Sequence, residues 1–326
     1  MILPMESGLL SFEVWRNKGW RVCCKSAVWC GKRMAGILLI VIPGLCLSCR
    51  SGRELVSSTL PDGKTIKVYS QKERAVGHKT VSRVRTYHFS HADVPAAFDG
   101  FRIAFISDLH YRSRLKEKGL ADLPLLLDSL QPDVLLIGGD LHEGCTYLPP
   151  LMEALGQVRT VDGAYAVLGN NDYEACYPEI VAGLEKVGVR LLEHRVDSLR
   201  RGEDRIWLAG VRNPFDLQAN GVSPTAGLPA DDFVLLLTHT PDYAEEVAVE
   251  NADLVLAGHT HGGQVTLFGL YAPVLPSRYG QRFRTGLKFT SNHTPVIVTN
   301  GVGTSRRNIR LFAPSEVVMV VLHHIR

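Results

Sequence analysis

What most limits the fold of this 326-residue chain is a series of short apolar runs, each stopping at an aspartate, a histidine or an asparagine. Residues 102–106 read RIAFI and deliver Ser107, Asp108, Leu109 and His110; residues 133–140 read DVLLIGGD and end on Asp140. Residues 164–168, AYAVL, lead into Gly169, Asn170, Asn171 and Asp172, and residues 233–237, FVLLL, lead into Thr238 and His239. Residues 252–257, ADLVLA, precede His259 and His261. Apolar runs of four or five residues without alternation read as strands buried on both faces, the kind found in sheets covered by helices. Helical spacing between them, over 120–130 with a late start forced by Pro124 and again over 150–158, completes an α/β pattern. In open α/β sheets ligands collect beyond the carboxyl ends of the strands.

Each of these polar residues has an ordinary reading of its own. Asp108 fits a helix cap, Asn170 a turn, and His239 a satisfied core histidine. His259 and His261 sit in LAGHTHGGQ, where an extended segment would aim both imidazoles at one small volume and Gly258, Gly262 and Gly263 would let the backbone come close to it. Taken together, Asp108, His110, Asp140, Asn170, His239, His259 and His261 are nitrogen and oxygen donors with no thiolate among them. Such a set suits Zn, Mn or Fe, not a Cys-rich structural zinc site. Seven donors are too many for one ion, but with Asp140 shared they serve two. Two neighbouring divalent ions that share a hydroxide can clamp a phosphoryl group for in-line displacement, so phosphoester hydrolysis is the leading reaction class.

The strings DLH, GGD, GNND, TH and GHTH, in this order and spacing, resemble the calcineurin-like metallophosphoesterases from about Asp99 to the end of the chain. The longer strings GHTHGGQ, APVLPSRYG and NGVGTS are similar to a membrane-anchored bacterial branch of that family. The resemblance implies a four-layer α/β/β/α sandwich with two transition-metal ions at one edge. Position by position, one ion would take Asp108, His110, Asp140 and His261, and the other Asp140, Asn170, His239 and His259. The branch is associated with envelope substrates, including the pyrophosphate of UDP-2,3-diacylglucosamine, cleaved at the cytoplasmic face. An exported phosphodiesterase is the alternative, and a non-catalytic metal-binding protein on the same scaffold is a third reading.

The sequence departs from the family at Asn171, where most members carry a histidine that contacts phosphate and is thought to protonate the leaving group. Asn171 can donate a hydrogen bond to a phosphate oxygen but cannot deliver a proton near neutral pH. His142, two residues beyond Asp140, is either a substitute acid or a supporting histidine. Arg306, Arg307 and Arg310 either hold an anionic substrate or form a solvated face.

Residues 1–53 form a separate segment, with eight Lys or Arg against two Glu, while the rest of the chain carries 28 basic and 31 acidic residues. That near-neutral body has no global pull on nucleic acid, which is set aside as a major partner. The uncharged run 35–47, AGILLIVIPGLCL, follows Lys32 and Arg33 and is shorter than the roughly 20 residues a membrane span needs. It reads as a signal-peptide core, or a short non-cleaved anchor, and LCLSC ending at Cys49 resembles a bacterial lipoprotein signal. Either reading places the protein at a membrane lipid surface with the domain facing outward. Residues 54–98 read as a β-rich lead-in and 99–326 as the catalytic domain. Five of the seven cysteines lie in the first fifty residues, leaving Cys145 and Cys176 in the body and no disulfide framework.

Overall fold

The computed structural model describes residues 54–60, 62–75 and 77–325. The basic arm, the apolar run 35–47 and Cys49 lie outside the described residues. None of the helices among the described residues is long and apolar enough to cross a membrane.

The strands are β1 (Glu54–Thr59), β2 (Thr65–Arg74), β3 (Arg83–His91), β4 (Arg102–Ile106), β5 (Val134–Ile137), β6 (Ala164–Ala166), β7 (Val189–Leu191), β8 (Arg195–Arg201), β9 (Asp204–Gly210), β10 (Val234–Leu237), β11 (Leu254–Ala257), β12 (Gly286–Phe289), β13 (Pro295–Val298) and β14 (Glu316–His324). They form two sheets, ordered β1-β2-β3-β14-β4-β5-β6-β7 and β12-β13-β11-β10-β9-β8. The helices are α1 (Glu117–Ser129), α2 (Leu148–Gly156), α3 (Asn170–Glu174), α4 (Tyr177–Lys186), α5 (Leu217–Asn220) and α6 (Tyr243–Glu246).

The period of two along each strand sorts its side chains into layers. Along β4, Ile103 and Phe105 enter the core between the sheets, while Ala104 and Ile106 face the core that holds Leu120, Leu123 and Leu127 of α1 and Leu151 and Leu155 of α2. Along β10 and β11, Leu235, Leu237, Leu254 and Leu256 face inward, while Leu236, Val255 and Ala257 pack outward with Tyr243 and Ala244 of α6. Both faces of these strands are therefore apolar because helices cover both sheets, giving the four-layer α/β/β/α sandwich that the family resemblance implies.

Helix α1 begins at Glu117 and runs through Pro124, so the late start expected from that proline does not occur. Burial of Leu120, Leu123, Pro124 and Leu127 on one face outweighs the loss of one backbone hydrogen bond. Strand β14, from the end of the chain, lies between β3 and β4, parallel to the first and antiparallel to the second. Cys145 and Cys176, for which the sequence offers no pairing, are joined by a disulfide with Cα atoms 5.6 Å apart. The bond links the loop after Asp140 to the segment after α3.

Candidate metal centre

All seven donors follow the carboxyl ends of central strands: Asp108 and His110 follow β4, Asp140 β5, Asn170 β6, His239 β10, and His259 and His261 β11. Five of them, Asp108, His110, Asp140, His259 and His261, have φ between 38° and 67°, in the left-handed region that non-glycine residues seldom enter. Backbone held there is stored strain, and such strain clusters at functional sites. Close packing of the loops keeps it in place. A Cβ at Gly169 would run into Asp140 Oδ1, and one at Gly258 into Asp108 Oδ2 and Ser107 Oγ.

Six of the seven donors gather as two trios, Asp108, His110 and His261, and Asp140, His239 and His259, each with its ligand atoms within 4.8 Å of one another; Asn170 is in neither trio. This corrects the extended-segment reading of His259 and His261. With φ of 67° and 52° the two residues sit in left-handed turns and send their rings to different trios. His261 Nε2 lies 3.4 Å from Asp108 Oδ1, whereas His259 Nδ1 lies 3.2 Å from His239 Nε2. Asp140 joins the trios, because its Oδ2 lies 3.4 Å from His110 Nε2 and 3.4 Å from His239 Nε2.

Supporting groups fix which atom each donor presents. His239 Nδ1 donates to the Gly138 carbonyl at 2.7 Å, and His110 Nδ1 lies 2.6 Å from Glu143 Oε1, so both rings turn Nε2 toward Asp140. Asn170 Nδ2 donates to Asn171 Oδ1 at 2.8 Å, leaving Asn170 Oδ1 buried and without a partner. His110 Nε2 and His261 Nδ1 are likewise buried without a hydrogen bond. Orphaned buried polar atoms cost free energy unless something completes them, and a divalent cation suits nitrogen and oxygen donors turned to a common centre.

Two supporting residues escaped the sequence reading. Asp172, fully buried, accepts from the backbone N–H groups of Asp140, Leu141 and Gly169 at 2.7, 2.9 and 2.9 Å, tying the Asp140 and Asn170 loops together. Its position two residues after Asn170 was the only available signal. Glu143 orients His110, and nothing in the spacing distinguishes it from a surface glutamate.

Asn171 lies between the trios. Its backbone N–H donates to Asp140 Oδ1 at 3.0 Å and its amide nitrogen is 3.3 Å from His110 Nδ1. His142 is buried, and its Nδ1 accepts from the Gly144 N–H at 2.9 Å. Among the described residues no hydrogen bond connects its ring to the seven donors or to Asn171. Arg310 is occupied by the backbone carbonyls of His261, Asn300, Gly303 and Ala313, whereas Arg306 and Arg307 are exposed.

The charges balance around Asp140. Burial pushes its carboxyl up, but His239 and His110 outweigh that and hold it well below the usual range. Burial lowers His110 and His239, yet the Asp140 and Glu143 carboxylates raise the first to about 10, and Asp140 with Asp108 raises the second to about 9. Burial, then the neighbouring His239 cation, lowers His259 to about 3. Each trio thus carries one imidazolium where a metal-loaded centre would carry a metal cation.

A third group, His91, Asp93 and Asp253, has ligand-like spacing. Here Lys64 Nζ already sits 2.5 Å from Asp93 Oδ2 and 2.7 Å from the Ala230 carbonyl, so an ammonium fills the cationic role.

The chain is similar to several known proteins. A transmembrane protein with metallophosphoesterase domain from Danio rerio is 31% identical over 249 residues, covering 70% of this chain and 54% of that protein. An uncharacterized metallophosphoesterase of Aquifex aeolicus is 28% identical, covering 74% of this chain and 91% of its own length. Phosphodiesterase YaeI of Escherichia coli is 29% identical, covering 68% of this chain and 82% of its own. The family model for calcineurin-like phosphoesterase matches residues 101–263, the span running from the strand before Asp108 to the turn that holds His261. With two donor trios joined through Asp140 inside that span, the chain belongs to the calcineurin-like phosphoesterase family.

Proposed function

We propose that this protein is a two-metal phosphohydrolase acting on a phosphodiester or pyrophosphate bond. The observation that carries the reading is the equal 3.4 Å separation of Asp140 Oδ2 from one histidine nitrogen of each trio, the place of a bridging ligand. In this reading Asp108, His110, Asp140 and His261 hold one divalent ion, and Asp140, Asn170, His239 and His259 hold the other. When bound, the ions supply an activated water nucleophile and positive charge for the phosphoryl transition state. The protein's own part is to orient those donors and to donate from the Asn171 amide to a phosphoryl oxygen. With no histidine at position 171, the reading favours a leaving group that needs little protonation, such as a nucleoside monophosphate. His142, whose buried Nε2 has no partner, is the remaining candidate for an acid.

A lipid-linked envelope substrate such as UDP-2,3-diacylglucosamine is supported by the surface around the site. Leu267, Phe268 and Val274 follow His261 in the chain and are exposed, as is Ile309 beside Arg310. Contiguous exposed apolar side chains mark an interaction surface. Below His259 a cavity of about 370 Å³ is lined by Phe215, Tyr243 and Pro276, with the Phe215 ring 5.1 Å from the His259 ring. A second reading, an exported phosphodiesterase, is supported by the Cys145–Cys176 bond, since disulfides persist in oxidising compartments. In both readings the segment 1–53 anchors the chain at a membrane.

The test is turnover of UDP-2,3-diacylglucosamine and of a chromogenic phosphodiester by the full chain, with Mn, Zn and Fe supplied in turn. The proposal expects metal-dependent hydrolysis that Asp140→Asn lowers by on the order of 10²–10³-fold. Preference for the lipid substrate selects the first reading and preference for simple diesters the second. Metal binding with no turnover of either would leave a non-catalytic protein and overturn both.

A further inference from the structure

Away from the metal centre, the layer between the sheets changes character. The inward row of β2 runs Ile66, Val68, Ser70, Lys72, and that of β3 runs Phe89, Tyr87, Arg85, Arg83, so both pass from apolar to polar and then cationic side chains. Beyond the last apolar pair, these rows and strand β12 enclose a cavity of about 490 Å³ that none of the seven donors lines.

Its charge is unbalanced. Arg83 is matched by the fully buried Glu316 at 2.6 Å. Lys72, Arg85, Arg284 and Lys288 have one carboxylate among them, that of Glu54, which lies 3.4 Å from Lys72 and 3.2 Å from Arg85. Among the described residues Lys288 makes no ion pair, and Arg284 donates only to the Gly262 and Gly269 carbonyls. Three buried groups of residues lining the cavity that can donate, Arg85 Nε, Tyr87 Oη and Thr285 Oγ1, have no partner. Arg85 is 5% exposed. Grouping cations on an inward face without counter-charges is costly, and the cost falls when an anion with several acceptor oxygens enters. Burial, then the charge of Arg85, holds Lys72 below the ordinary lysine value; burial, then Arg284 and Arg85, does the same to Lys288. At the mouth Leu270 and Phe312 are exposed, which suits a headgroup whose tail stays outside.

We propose that this cavity is a second anion site, separate from the metal centre, that binds a phosphate group through Lys72, Arg85 and Lys288. The phosphate is either free or the headgroup of an anionic lipid. The guanidinium of Arg85, stacked 4.9 Å from the Tyr87 ring centre, presents a fixed fork to two phosphate oxygens. The lysines supply the remaining charge.

Calorimetric titration of the full metal-loaded chain with inorganic phosphate tests this, with Asp140→Asn protein used alongside to remove the metal centre's own affinity for phosphate. Lys288→Gln should weaken binding by at least about fivefold, the factor for one unit charge about 4 Å away at the dielectric of water. Glu54→Gln, which deletes the competing carboxylate, should tighten binding by a similar factor, a gain that misfolding cannot imitate. Asp140→Asn should leave this binding in place. Vesicles of phosphatidylcholine with and without phosphatidic acid separate the sources. Retention only on phosphatidic acid, with the same order of variants, identifies a lipid headgroup, and phosphate binding without retention identifies the free ion. Absence of both, or Lys288→Gln and Glu54→Gln changing affinity in the same direction, overturns the proposal.

Discussion

Asn171 is where a single side chain decides most about the reaction. By the family resemblance it stands where most members carry a histidine, its Oδ1 accepts from Asn170, and in the proposed reading its amide would donate to a phosphoryl oxygen. General-acid catalysis is worth about 10²–10⁴-fold. Asn171→His should therefore raise turnover of alkyl phosphodiesters by at least about tenfold and leave aryl diesters nearly unchanged. Equal effects on the two, measured as kcat, would show that leaving-group protonation is supplied elsewhere. His110 and His239 give a second prediction at the same scale. Held at about 10 and about 9, both are protonated in the metal-free chain at pH 7. Ligation needs the neutral ring, so each ion displaces a proton. Metal affinity should rise with pH until these groups titrate near pH 9–10, and uptake at pH 7 should release about two protons. Calorimetry in buffers of different ionisation enthalpy counts them, and a count of zero would refute the assignment.

At the scale of elements, the strands that carry the donors were legible because each is a closed apolar run with a polar stop. Residues 102–106, 134–137, 164–166, 234–237 and 254–257 all lie where the pattern places them. What the pattern could not convey depends on contacts distant in sequence. Strand β14 inserts between β3 and β4, across more than 200 residues, and Asp172 matters because three N–H groups from two loops reach it. The left-handed turns at His259 and His261 are likewise set by loops packing on Asp108, not by the local string. The Cys145–Cys176 bond is another such contact, and it closes the two loops that carry Asp140 and Asn170. Its sequence separation of 31 corresponds, in the loop-entropy account, to about 4 kcal/mol. Cys145→Ser with Cys176→Ser should lower the unfolding temperature and abolish its sensitivity to reductant. Identical melting of the oxidised and reduced wild-type chain would show the bond to be idle.

For the molecule as a whole, the placing of the donors matters more than their chemistry. Asp108, His110, Asp140 and Asn170 come from the eight-stranded sheet, and His239, His259 and His261 from the six-stranded one. Each trio draws on both sheets, so each bound ion would fasten one sheet to the other at the end where strained loops replace the apolar core. The same loops hold two imidazolium cations against Asp140 and Asp108 when metal is absent, a weaker fastening than a divalent ion with four donors. Binding to the native state alone stabilises it by about 4 kcal/mol per ion at a thousand times the dissociation constant. For a domain of this size each kcal/mol moves the unfolding temperature by about 2–4 °C, so removing one ion should lower it by on the order of 10 °C. Chelation followed by scanning calorimetry measures this, and Asp140→Asn, which also loses the ion pairs to His110 and His239, should melt at or below the chelated wild type with or without added metal. A chelated protein that melts with the loaded one would mean that the sheets are held by their apolar core alone and that the donors do not clamp them.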